Sequence, residues 1–95
     1  MKASRIALTA STIIAGGRAQ QHGDMARAHG CIAALWTVYL QSRRDKTAPL
    51  SPADVAKMMV LLKLARSENG EHNTDDYVDM AGYAAIAGDL EGRGL

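Results

Sequence analysis

The stretch from residue 51 to residue 87 constrains this chain most. Ser51-Pro52-Ala53-Asp54 is a helix start. It has a hydroxyl to cap free backbone N–H groups, a proline at the first helical position, and a carboxylate that can reach back to the cap. The helix it opens is expected over 52–66 and carries Val55, Met58, Met59 and Leu62 on one stripe. Val60, Leu61 and Leu64 lie off that stripe, so the helix is apolar nearly all round. Such a helix is central, packed on several neighbours or across a subunit boundary. A polar loop from Ser67 to Asn73, with no apolar anchor, leads to a last helix expected over 74–87 and stopped at Gly88. Thr74 or Asn73 caps it, and Asp75 and Asp76 place negative charge in its first turn.

Two helices alone bury too little, so the preceding residues must complete the fold. A helix is expected over 3–15, ended by Gly16-Gly17, with Ile6, Ala10, Ile13 and Ile14 at helical spacing. The apolar run beginning after Lys2 and Arg5 only faintly mimics a signal peptide, because Thr9, Ser11 and Thr12 dilute it. The next helix is expected over 25–43, capped by Asp24 and carrying Ile32, Leu35, Trp36, Tyr39 and Leu40 on one stripe. Arg43-Arg44-Asp45-Lys46 reads as its solvated end. Helical periodicity in every long segment therefore predicts an all-α fold, a small four-helix bundle with an antiparallel C-terminal hairpin. Its predicted core is Ile13, Ile32, Leu35, Trp36, Tyr39, Val55, Met59, Leu62, Met80 and Ala84, with the Trp36 indole N–H bonded to a polar neighbour.

Composition supports this reading. The chain has 95 residues, 47% hydrophobic and 22% charged, which fits one domain over 1–95 with its core at about 3–88. It has no Phe, so Leu, Ile, Val, Met and many Ala must fill the core. A formal net charge of +1 provides no electrostatic case for nucleic acid as the main ligand. The single Cys31 has no partner for an internal disulfide, which favours a reducing, cytoplasmic setting. No run approaches the ~20 apolar residues of a membrane span.

The polar residues on the hairpin are the candidate site. Asp76 and Asp79 are three apart on one face of the last helix, with Tyr83 a turn further on. Lys63 and Arg66 have the same spacing near the end of the preceding helix. In an antiparallel hairpin Arg66 comes opposite Asp76, and Lys63 opposite Asp79. One reading is an interhelical ion-pair ladder, each exposed pair worth about 0–1 kcal/mol. The other is a Mg²⁺ site, with Asp76 and Asp79 on the metal and Lys63 or Arg66 on phosphate. Arg18, His22 and Asp24 form a second polar group before the second helix. Asp24 as a helix cap beside a surface His22 is the commoner meaning of this pattern, with metal ligation or an acid–base pair as the alternative. His29 and Cys31, two apart on a helix, point away from each other and make a poor nucleophile pair.

Several stretches resemble a family of small phage and prophage proteins over about 17–87. They are Gly17-Arg18, His22-Gly23-Asp24, Ile32-Ala33-Ala34-Leu35-Trp36, Asp54-Val55-Ala56, Met59 to Arg66, and Asp76 to Ala85. That family in turn is distantly similar to the all-α MazG-type nucleotide pyrophosphohydrolases. There Asp76 and Asp79 take the place of an acidic Glu-x-x-Asp pair. The Glu-Glu-x-x-Glu element that supplies most metal ligands in those enzymes has no counterpart here. The resemblance implies a phage protein acting in the cytoplasm of an infected or lysogenic bacterial cell. The expected function is binding and modulation of a host protein, with an anti-defence (anti-CRISPR-like) inhibitor as one form. It implies no catalytic residue and no cofactor. A MazG-like hydrolase using Mg²⁺ is the alternative. A nucleic-acid accessory role for Arg5, Arg18, Arg27, Arg43, Arg44 and Lys46 is a third. The apolar excess of helix 52–66 further predicts a homodimer using that helix.

Overall fold

The structure, a computed structural model, describes residues 2–16 and 24–95. Among these residues it is all-α, with four helices and no strand: α1 (Ala3–Ala15), α2 (Met25–Ser42), α3 (Pro52–Ser67) and α4 (Thr74–Gly92). Each of the last three helices starts where a side chain can take up free backbone donors. Asp24 accepts from the backbone N–H groups of Ala26 and Arg27. Ser51 and Asp54 form the reciprocal capping box, and Asn73 accepts from Asp75. Capping of this kind is worth about 1 kcal/mol per helix.

α3 is the middle element, with α2 on one side and α4 running back along another. Antiparallel order in the α3–α4 hairpin follows from its cross-links. Ala53 N–H donates to the Leu95 backbone oxygen at 3.3 Å, Lys57 meets Glu91 at 3.4 Å, and Lys63 meets Asp79 at 2.9 Å. Most of the buried core is alanine: Ala28, Ala53, Ala56, Ala65 and Ala87, with Ile32 and Met58. Small side chains bring helix axes close but remove little apolar area per residue.

The core is therefore thinner than periodicity predicts. Of the ten expected core residues, Ile32 is buried, while Leu35, Trp36, Tyr39, Met59, Leu62 and Met80 are half-buried. Ile13, Val55 and Ala84 are exposed. Ile13 is exposed because α1 buries no residue at all. Val55 sits on a side of α3 that neither neighbour covers, and Ala84 lies at the rim of an open groove beside Val60 and Leu61. The apolar excess of α3 is itself mostly covered, with Val55 and Leu64 the large apolar residues it leaves exposed. Trp36 behaves as expected: its indole N–H donates to the Met58 carbonyl at 2.8 Å and ties α2 to the middle of α3.

α4 does not stop at Gly88 and the chain does not fray after Glu91. The helix ends at Gly92, followed by Gly94 at φ 77° in the left-handed region. Leu95 N–H bonds to the Leu90 carbonyl at 2.9 Å and Gly94 N–H to the Glu91 carbonyl at 3.0 Å. This is the Schellman arrangement, which satisfies carbonyls at a helix C-terminus. It also carries the Leu95 oxygen to the free N–H of Ala53 in the first turn of α3.

Two glycine substitutions separate these effects. Gly94→Ala forces an L-residue into the left-handed region and should lower stability by about 1–2 kcal/mol in a thermal or urea melt. Gly30→Ala in α2, where an added Cβ meets nothing within 4 Å, should raise stability by up to about 1 kcal/mol.

Candidate functional site

The densest polar cluster lies where α2 ends and α3 begins. Asp54 Oδ1 accepts from the Tyr39 hydroxyl at 2.5 Å. Asp54 Oδ2 accepts from Arg43 at 2.9 Å and from Ser51 N–H at 2.9 Å. Arg43 also donates to the carbonyls of Ala48 at 2.8 Å and Pro49 at 3.0 Å. The Arg43 and Asp54 side chains are only 10% and 13% exposed, so water screens this pair little. Arg43 is thus not part of a solvated end. Its guanidinium folds back over the loop, and the third reading loses one of its six cations to an internal contact.

Electrostatics match the geometry. The Ser51 backbone N–H, helped by the Tyr39 hydroxyl and the Arg43 charge, holds the Asp54 carboxyl well below the usual carboxylate range. Burial and the bond to Asp54 push the Tyr39 phenol up from 10.0 to about 12. A carboxylate with both oxygens committed is a poor general base, because proton acceptance requires breaking a charge-assisted bond.

On the hairpin, the structure brings Lys63 and Asp79 together, with side chains 17% and 43% exposed. Asp76 is buried in the first turn of α4, and Tyr83 lies half-buried on the same face. Arg66 does not join them. Among the described residues no ion pair links Arg66 to Asp76, so the expected second rung is absent. Three residues turn a helix by about 300°, which leaves Arg66 some 60° further round α3 than Lys63. That rotation carries it away from the side on which Ala53, Ala56 and Val60 meet α4.

The remaining predicted site residues divide in two. Asp24 is spent on capping, with its Oδ1 at 2.7 Å from Ala26 N and 3.1 Å from Arg27 N. Arg18 and His22 lie outside the described residues. His29 Nδ1 donates to the Met25 carbonyl at 2.7 Å within its own helix, and Cys31 is half-buried. Among the described residues no group of three His, Cys, Asp or Glu side chains is placed to hold a metal ion.

The 67–73 loop is better anchored than its polar composition predicts. Asn69 is 6% exposed, its amide donating to the Ala65 carbonyl at 2.6 Å. Its Oδ1 has no hydrogen-bond partner. Gly70 at φ 77° turns the chain next to it. An Asn-Gly pair after a helix is the signal in the sequence that marks this turn.

These observations define a small all-α protein whose polar clusters join its own helices. The chain belongs to the family described as "Domain of unknown function (DUF6378)", whose model matches residues 5–91. It is 48% identical over 82 residues to the Gene 55 protein of Mycobacterium phage L5, covering 85% of this chain and 49% of that protein. It is 35% identical over 75 residues to the Gene 55 protein of Mycobacterium phage D29, covering 79% of this chain and 46% of that protein. The chain thus spans about half the length of these curated relatives. No solved structure matches it. The phage kinship expected from the sequence is found in these matches.

The cluster at Asp54 makes two predictions. Asp54→Asn leaves the Arg43 guanidinium without its counter-charge and should cost about 3 kcal/mol in a denaturant melt, as breaking a buried pair does. Stability should also fall on both pH flanks. The contribution of Asp54 is complete above the unfolded carboxyl value of about 3.9 and is lost as pH falls through the lower folded value. That of Tyr39 is complete below pH 10.0 and is lost as pH rises from there through about 12. Tyr39→Phe should remove this part of the alkaline loss.

Proposed function

We propose that this chain is a non-catalytic phage-type binding protein that engages and modulates a bacterial host protein in the cytoplasm of an infected or lysogenic cell. One observation carries the reading. The side chains that could perform chemistry are spent on internal contacts, whereas large apolar side chains stand outside. Asp54, Asp24 and Asp79 each hold a donor of their own chain. Met25, Val38 and Leu40 on α2, by contrast, are 69%, 61% and 38% exposed. Apolar side chains left in water in this way are available to a protein partner. Kinship with mycobacteriophage proteins supports a host factor as the target. An inhibitor of a defence system such as a CRISPR effector is one form of this reading.

A MazG-like pyrophosphohydrolase is the second reading, favoured by one observation. Asp76 and Asp79 do share the inward face of α4, beside a lysine. The residues there do not fit a catalytic Mg²⁺, however. Mg²⁺ requires near-octahedral oxygen coordination, usually from one or two carboxylates with waters and substrate phosphates. Here the Lys63 ammonium already sits 2.9 Å from Asp79 Oδ2. α2, the other helix packed on α3, has no acidic residue between Met25 and Ser42 to activate a water.

The test is a Mg²⁺-dependent phosphate-release assay on common nucleoside triphosphates. Purified protein should show no turnover above the no-enzyme control. Release that depends on Mg²⁺, and that Asp79→Asn abolishes with folding intact, would replace the binding reading with the hydrolase.

A further inference from the structure

α1 is a helix without the means to be one alone. It has 13 residues, no side-chain cap, no acid in its first turn and no base in its last. Isolated helices of this length are marginal in water even when alanine-rich, and Thr9, Thr12, Ile13 and Ile14 lower the propensity further. Yet its residues are ordered for burial. Ala3, Ile6, Ala7, Ala10, Ile13 and Ile14 form one continuous apolar face. The hydroxyls of Thr9 and Thr12 on the other side bond to their own helix, at the carbonyls of Arg5 and Leu8. Nevertheless, no residue of α1 is buried, and Ile6, Ile13 and Ile14 are 53%, 43% and 62% exposed.

The size of the missing contact follows from the surface. The chain exposes 6785 Å², whereas a compact monomer of 10.1 kDa exposes about 5,300 Å². Its radius of gyration is 15.6 Å against about 12 Å for a compact chain of this length. The excess of about 1,500 Å² per chain leaves room for the roughly 800 Å² per partner that a stable complex covers.

Charge indicates which face receives α1. Lys2 and Arg5 are the only charged residues from position 2 to 16. α2 also lacks acids and carries Arg27, so it offers α1 no attraction. α4 is the opposite: from 74 to 92 it carries five acids and no cation. Asp79, Asp89 and Glu91 are paired within the chain and Asp76 is buried, which leaves Asp75 exposed with no ion-pair partner among the described residues. Its outer face presents Val78, Ala81, Gly82 and Ala85, all exposed, and an added Cβ at Gly82 would meet nothing within 4 Å. Small residues at this spacing form the shallow groove into which isoleucine side chains of a second helix insert.

We propose that α1 of each chain packs its Ile6–Ile13 face on the outer face of α4 of a second copy, so that the protein is a two-fold homodimer built by exchange of α1. The interface is isologous, each chain giving one helix and receiving one. It differs from the dimer expected from the sequence, since α3 is already covered by its own neighbours. It also leaves the outer face of α2 free for another protein.

Sedimentation equilibrium of the 95-residue chain at micromolar concentration should give twice the 10.1 kDa chain mass. Ile13→Asp on α1 and Ala85→Arg on α4 should each weaken association by about tenfold or more. Thr12→Asp, on the polar side of α1, should leave it unchanged. Trp36 emission reports folding of the α2–α3 body in every variant, because its indole is held on Met58 and away from α1. A wild-type mass of 10.1 kDa would overturn the proposal and mean that α1 is covered within its own chain or by a different protein. So would a folded Ile13→Asp or Ala85→Arg variant that dimerises as the wild type does.

Discussion

The Asp54 carboxylate is the interaction on which the rest of the structure depends. Its two oxygens receive a tyrosine from the last turn of α2, an arginine from just after that helix and the backbone at the start of α3. Two charge-assisted bonds, from Tyr39 and Arg43, thereby tie the end of α2 to the start of α3, while the Ser51 bond fixes the carboxylate within the cap of α3. Such bonds are about twice as strong as neutral ones and hold a narrower geometry. That geometry puts Trp36 over the Met58 carbonyl, a main-chain acceptor in the middle of α3. The indole site exists because the cluster has already fixed the approach of the two helices.

The second seam works on a different principle. Between α3 and α4 the one strong polar link, Lys63–Asp79, has a carboxylate nearly half open to water, which limits its worth to that of a surface pair. Close alanine packing and the end of the chain do more. Leu95 returns to Ala53 through the Gly94 turn and satisfies an N–H at the start of α3 that has no partner within its own helix. The N-terminus of α3 is therefore clasped on one side by the Asp54 cluster and on the other by the last turn of the chain. Both seams converge on the same few residues, 51–54.

How much of this was legible in the sequence follows the range of each interaction. Helix starts at Asp24, Ser51 and Asn73 were readable because a cap is decided within three residues. The Trp36 bond was readable as a need, though its acceptor was not. The role of Arg43 is not legible, because a basic residue at a helix end looks the same whether it meets water or a carboxylate eleven positions on. The length of α4 is hidden for a similar reason. Gly88 in open space is tolerated mid-helix, and the stop was decided further along by the left-handed glycine at 94. At the hairpin, equal spacing correctly paired Lys63 with Asp79. It could not reveal that Arg66 is rotated out of the seam, since spacing fixes position along a helix better than angle around it.

The same distinction explains what the fold does with its apolar residues. Periodicity shows that a helix has an apolar face, but not which surface covers it. In α2 and α3 the covering surface is supplied within the chain, and polar side chains are drawn in with it to the Asp54 cluster. In α1 the face is as well formed, yet nothing within the described residues covers it. Hydration treats the two groups oppositely: it opposes freeing the carboxylates bonded inside the fold and favours covering the isoleucines of α1.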